Sequence, residues 1–159
     1  MSEGDEMTMT PIKFSDGEFN NFVVGAAAKI DTSVIPSTPG IYAVVRRRNT
    51  DLVYVGKAKG KFKNTPRSLR DRFSKEHFKE RARGSRLRRL VAIELGIPLV
   101  KDHSGRLAVD MRHEKRISNY IEEELCFSFI IAPWERVDYL EIAAIGELKP
   151  RWNIQHSSV

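Results

Sequence analysis

Two phenols and one carboxylate are the residues of this chain whose types and spacing could do chemistry. Tyr42 closes the tripeptide Gly40-Ile41-Tyr42, and Tyr54 opens Tyr54-Val55-Gly56. Both sit in apolar, β-prone runs, Ile41 to Val45 and Leu52 to Val55, separated by Arg48-Asn49-Thr50-Asp51. Runs of that kind joined by Asn, Thr and Asp predict a β-hairpin, which places the two phenols on neighbouring strands. The carboxylate is Glu141. Around it Val137, Leu140, Ala144, Ile145 and Leu148 recur at helical spacing, and Glu141 falls on that apolar face. A carboxylate in such a place needs an arginine, a hydrogen-bond network or a metal ion. A third feature is the basic segment that begins directly after Gly56. Lys57, Lys59, Lys61, Lys63, Arg67, Arg70 and Arg72 are followed by Lys79, Arg81, Arg83, Arg86, Arg88 and Arg89, against only Asp71, Glu76 and Glu80. Its position beside the tyrosine strand points to phosphate contacts.

The elements that must position these groups can be read in order. Residues 1–36 are expected to form an N-terminal extension, with Ser15-Asp16-Gly17-Glu18 opening a short capped helix over Phe19, Phe22 and Val23. After the hairpin and a lysine-rich loop, Pro66 is placed to open a helix with Leu69, Phe73 and Phe78 inward. Ser85 to Leu95 reads as a second helix, ended by Gly96 and Pro98. Residues 99–109 hold a loop or hairpin tip at His103-Ser104-Gly105. Met111 to Glu124 reads as a helix, Cys126 to Ala132 as an apolar strand, and Pro133-Trp134-Glu135 opens the last helix, to about Leu148. The fold class is α+β: a small mixed or antiparallel three-stranded sheet flanked by helices. The domain is expected over 37–159, with a helical insertion at about 79–125.

Several motifs, in order, resemble the GIY-YIG nuclease superfamily. They are Gly40-Ile41-Tyr42, Tyr54-Val55-Gly56 with Lys57-Ala58-Lys59, the Leu69 to Arg72 segment, His77, the Glu141 helix, and Pro150-Arg151-Trp152-Asn153. The stretches YVGKAK and LEIAAIGELKPRWN are similar to the nuclease half of the bacterial excision-repair enzyme and to small GIY-YIG restriction enzymes. The resemblance implies a divalent-metal-dependent endonuclease acting on DNA by a one-metal hydrolysis, with Mg²⁺ or Mn²⁺ on Glu141. It implies Tyr42 as general base or water-orienting group, Tyr54 as its assistant, Arg72 on the scissile phosphate, and Asn153 as a group that holds the site together. A free phenol, with a pKa of about 10, is a poor base at neutral pH, and a nearby cation favours its phenolate. Lys57, directly after Gly56, is expected to be that cation. Lys59, Lys61, Lys63, Arg67, Arg70, Arg86 and Arg89 are expected to contact nucleic acid.

One register departs from the family. The family histidine usually follows the arginine by four residues, and here that position is Glu76. On a continuous helix His77 shares a face with Arg70 rather than Arg72, so His77 reaches the site beside Arg72 only if the helix ends or bulges before it. The alternative reading is a catalytically impaired nucleic-acid-binding module of the same fold.

Composition bounds these readings. At 41% hydrophobic residues in 159, the chain can bury a core without staples. The single cysteine, Cys126, excludes a disulfide framework and a multi-cysteine zinc site. His103, His113 and His156 lack metal-ligand spacing. A net charge of +6 favours a polyanionic partner, DNA being expected. No apolar stretch approaches the roughly 20 residues that span a bilayer, and MSEGDEMTMT does not resemble a signal peptide. A cytoplasmic protein with no membrane partner is expected, its specificity supplied by the 79–125 segment, a homodimer or a partner protein.

Overall fold

The computed structural model describes residues 12–22, 32–62, 65–80, 85–157 and 159. The chain opens with β1 (Ile12–Phe14), β2 (Gly17–Phe22), β3 (Gly40–Arg46) and β4 (Asp51–Ala58). A short ladder of β5 (Lys61–Phe62) and β6 (Thr65–Pro66) leads to α1 (Leu69–Arg72) and α2 (Arg86–Glu94). A second short ladder, β7 (Val100–Lys101) with β8 (Leu107–Ala108), precedes α3 (Glu114–Glu124). Then come β9 (Leu125–Ile131), α4 (Val137–Leu148) and α5 (Arg151–Gln155).

The fold is α+β, built on a three-stranded antiparallel core. β3 lies between β4 and β9, as its unbroken apolar run requires of a central strand. β3 and β4 form the expected hairpin, in which Asn49 Oδ1 accepts the Asp51 N–H at 3.1 Å and Thr50 takes a left-handed φ of 56°. β1 and β2 add to the far edge of β9 and widen the sheet to five strands, in the order β1-β2-β9-β3-β4.

The strand β2 corrects the expected capped helix. Ser15 and Asp16 form the turn of a β-hairpin, and Ser15 N–H is held by both carboxylate oxygens of Glu147 on α4 at 3.0 Å. Phe14 and Phe19 stack at 5.6 Å across that hairpin and enter the core under α4. Residue 23 lies outside the described residues.

Strand alternation divides the core. Tyr42, Val44 and Tyr54 face one side, against Leu69, Phe73, Leu87, Leu90, Val91, Ile117 and Ile121. Ile41, Ala43 and Val55 face the other, against Val137, Leu140 and Ala144 of α4. Each fully buried Leu or Phe side chain contributes about 1.5–3 kcal/mol, so both layers hold the sheet firmly.

α1 does not begin at Pro66. Ser68 is its cap, with Oγ accepting the Asp71 N–H at 3.0 Å, while Pro66 lies in β6. After Arg72 the coil widens into one π turn, Phe73–His77, closed by Phe78 N–H on Phe73 O at 2.9 Å. α2 starts from Ser85, whose Oγ accepts the Arg88 N–H, and stops before Gly96, which has a φ of 71°. β7 and β8 pair around the His103-Ser104-Gly105 tip. Arg88 is buried and ties α3 to the π turn: its guanidinium donates to His77 O at 3.1 Å, Glu114 O at 2.9 Å and Ser118 Oγ at 2.9 Å. Among the described residues no helix is long and apolar enough to cross a membrane.

Candidate active site

The hairpin delivers both phenols to one place. Tyr42 pairs with Gly56 across the ladder, and Val44 with Tyr54, so Tyr42 and Tyr54 share a face with their rings 6.0 Å apart. Tyr42 is fully buried, its ring set edge-on to Phe73 at 4.8 Å. Gly56 makes that placement possible. A Cβ there would sit inside the van der Waals shell of the Tyr42 Oη and Cζ.

The π turn settles where His77 goes. With the extra residue in the coil, His77 turns inward although it follows Arg72 by five. Its Nε2 lies 2.7 Å from Tyr42 Oη, and its Nδ1 lies 2.8 Å from Ser85 Oγ. Arg72 is on the same side. It pairs with Glu76, and its charge acts on both phenols. Glu76, at the family's histidine position, also holds Arg67 at 2.7 Å and serves as the anchor of the two arginines. Arg70, which would share a face with His77 on a continuous helix and is an expected nucleic-acid contact, is turned elsewhere. Its Nε and Nη2 donate to the carbonyls of Ile35 and Ser33, each at 2.9 Å.

Burial dominates the electrostatics. It pushes the Tyr42 phenol well above 10.0, with Tyr54 adding to the rise and Arg72 opposing it. Burial raises Tyr54 as well, opposed by Arg86 and Arg72. Burial pushes His77 well below 6.5, and Arg72, Arg88, Arg67 and Arg89 push it further, so the imidazole is neutral. Because the unfolded chain binds this proton and the folded chain resists it, His77 contributes stability above pH 6.5 that is lost as pH falls toward its depressed value. Denaturant unfolding followed from pH 8 to pH 5 is expected to show falling stability below about 6.5, and His77→Gln is expected to make that fall shallower.

Glu141 approaches from the other layer. Its side chain is 20% exposed, three residues after Asp138 on the same helical face, and Lys57 Nζ stands between them, 3.5 Å from Glu141 Oε1 and 2.8 Å from Asp138 Oδ1. Burial raises the Glu141 carboxyl, with Lys57 opposing. Hydrogen bonds from Lys57 and Lys59 hold Asp138 down at about 2. The expectation that Lys57 is the cation beside Tyr42 is corrected here. Lys57 follows Gly56 on β4, so alternation sends it to the α4 face, opposite the phenol, where Asp138 is its main partner. The cation that faces Tyr42 is Arg72.

The donor set around Glu141 fits a hard cation. A desolvated carboxylate with too little positive charge beside it is the kind of oxygen ligand that Mg²⁺ or Mn²⁺ takes, with waters filling the remaining positions. Among the described residues there is no group of three or more His, Cys, Asp or Glu that could hold a metal ion.

A model of the GIY-YIG catalytic domain matches residues 21–159. The chain belongs to the GIY-YIG family. That family is one of nucleases, and the two tripeptides of this GIY-YIG domain are the strands that carry Tyr42 and Tyr54. No curated protein and no solved structure matches the chain.

In this GIY-YIG domain Asn153 acts on the backbone. Its Oδ1 accepts the Val55 N–H and its Nδ2 donates to Val55 O, both at 2.8 Å. The amide thus mimics a neighbouring strand and covers the free edge of β4 between the two tyrosine positions. Asn153→Ala leaves a buried N–H and C=O unpaired and is expected to destabilise the fold by about 1–3 kcal/mol, read by chemical denaturation.

The basic residues of the GIY-YIG domain divide into anchors and candidates for substrate. Arg86 lies over the Tyr54 ring at 5.7 Å and donates to His156 O at 3.0 Å. Arg89 is partly buried, with burial and Arg86 pushing its pKa down. Lys59 pairs with Asp138 and lies 4.3 Å over the Trp134 ring, whose Nε1–H donates to Lys59 O at 2.7 Å. Lys63 and the side chain of Lys61 lie outside the described residues. Sequence reasoning missed Asp138, whose signal is its three-residue spacing to Glu141, and Ser85, which advertises only a helix cap.

Proposed function

We propose that this GIY-YIG protein is a divalent-metal-dependent endonuclease that hydrolyses DNA phosphodiester bonds with one metal ion and water as the nucleophile. The observation that carries this reading is the buried contact of Tyr42 with His77 at 2.7 Å, within the fields of Arg72 and Glu141. Titratable groups whose protonation is shifted by burial and by neighbouring charge, gathered in one place, are the mark of a functional site.

Tyr42 is the base or water-orienting group, and its oxygen is fixed by His77. Tyr54, beside it, hydrogen-bonds water or phosphate. Arg72 takes the scissile phosphate and meets the charge that develops on it. Glu141 would hold Mg²⁺ or Mn²⁺, which would supply positive charge to the phosphate and the leaving oxygen and would favour the Tyr42 phenolate. Were an ion held by Glu141, Asp138 would keep Lys57, already its nearer partner. Arg86, Arg89 and Lys59 flank the site and track the backbone of the substrate. The protein works in the cytoplasm.

Incubation with supercoiled plasmid in Mg²⁺, in Mn²⁺ and in EDTA tests the reading. Nicking or cutting in metal but not in EDTA supports it. Salt-sensitive DNA binding with no cleavage in any metal favours a binding module of the same fold.

A further inference from the structure

His77 is the one imidazole buried between two hydroxyls, and a neutral imidazole there has two states. Either Nδ1 or Nε2 carries the proton. If Nδ1 carries it, Nε2 can take the proton of Tyr42, and His77 is a base. If Nε2 carries it, His77 donates to the Tyr42 oxygen and stabilises charge on it. The contact with Tyr42 alone does not decide between them, because a phenol oxygen can donate or accept.

The other end of the ring does decide. Ser85 Oγ is the cap of α2 and accepts the Arg88 N–H at 3.1 Å. Ser85 is 1% exposed, so its own hydroxyl proton needs an acceptor inside the protein. Among the described residues that acceptor is His77 Nδ1, at 2.8 Å. Among the described residues, a proton on Nδ1 would leave the Ser85 hydroxyl with two donors aimed at it and no acceptor for its own proton. We infer that Ser85 is a positioning residue that fixes His77 in the Nε2-protonated tautomer, so that His77 donates a hydrogen bond to Tyr42 Oη and does not receive its proton.

The scaffold supports this arrangement. The first turn of α2 grips His77 twice, by Ser85 at the ring and by the Arg88 guanidinium at the main-chain carbonyl, 3.1 Å away. Arg88 in turn is anchored on α3. The 79–125 segment therefore reaches His77 through Ser85 and Arg88. With the His77 Nε2–H and the Arg72 charge both directed at it, the Tyr42 oxygen is held where negative charge on it is stabilised. The effect on cleavage rests on the nuclease reading; the ring protonation does not.

Side-chain ¹⁵N spectra of the labelled protein at neutral pH read the tautomer directly, with His77 assigned from its loss in His77→Gln. The expected result is a pyridine-type Nδ1 and a pyrrole-type Nε2. A pyrrole-type Nδ1 in the native protein overturns the inference, whether or not the chain cuts DNA. Two substitutions extend the test. Asn and Asp are both good helix caps of nearly one shape, but Asn can donate to Nδ1 and Asp can only accept. Ser85→Asn is expected to retain the native tautomer, and Ser85→Asp to move the proton to Nδ1 and cleave about 100-fold less than Ser85→Asn. Equal cleavage by the two variants, with the proton moved, overturns the role in catalysis. Thermal unfolding of both identifies a fall caused by misfolding, and the native spectrum then decides.

Discussion

Replacing Glu141 by glutamine is expected to make the folded protein more stable at neutral pH while abolishing cleavage. The sign of the stability change follows from linkage. Burial raises the folded carboxyl above its ordinary 4.5. Such a group favours the fold fully below its unfolded value, and the advantage is lost as pH rises through the folded one. At neutral pH the charged carboxylate is therefore a liability that Lys57, shared with Asp138, offsets only in part. Glutamine removes the charge and keeps the shape, and the gain should shrink as pH falls toward 4.5. The functional loss is larger. If a bound ion supplies about 4 kcal/mol of charge stabilisation in the transition state, its loss lowers the rate about 1,000-fold. Denaturant unfolding across pH, beside plasmid cleavage, measures both. A variant that is less stable than the native chain at neutral pH would show Glu141 to be an ordinary structural ion-pair partner of Lys57.

Gly56→Ala is expected to have the second-largest effect, through a residue with no chemistry of its own. The added Cβ meets the phenol end of Tyr42, and the ring is boxed in by Phe73, Tyr54 and His77. It cannot swing away without breaking the contact with His77. Overpacking of this kind destabilises by about 1–3 kcal/mol. A displacement of about 1 Å at a reacting group lowers activity about 100-fold. The signature is a fall in kcat beyond what loss of folded protein explains, with DNA binding retained. Cleavage at the native rate in a folded Gly56→Ala protein would mean that Tyr42 does not need this position.

Much of this arrangement is legible in the residues, and the exceptions have physical causes. Alternating β-prone runs around a polar turn define the hairpin, and helical spacing puts Glu141 on the inner side of α4. The N-terminal hairpin is not legible, because Ser15-Asp16-Gly17 suits a helix cap and a tight turn equally well, and only the docking of Phe14 and Phe19 under α4 chooses between them. The face of Lys57 is legible from the two-residue period of a strand. Adjacency to Gly56 in sequence means opposition across the sheet. The π turn is not legible, since no proline or glycine in Phe73–His77 marks it. It comes from tertiary packing, with Phe73 among Tyr42, Phe127 and Phe129 and the His77 carbonyl held by Arg88. Arg70 and Arg72 look alike as sequence, and only the carbonyls of Ser33 and Ile35 separate the anchor from the residue that faces the phenols.

The most direct measurement is nicking of supercoiled plasmid in Mg²⁺ by the native protein and by Glu141→Ala, purified identically, with DNA binding measured on the same samples. A hydrolytic site built on Glu141 gives nicking by the native chain that EDTA abolishes, none by the variant, and equal binding by both. Equal nicking by the two proteins, or nicking that persists in EDTA, would contradict it.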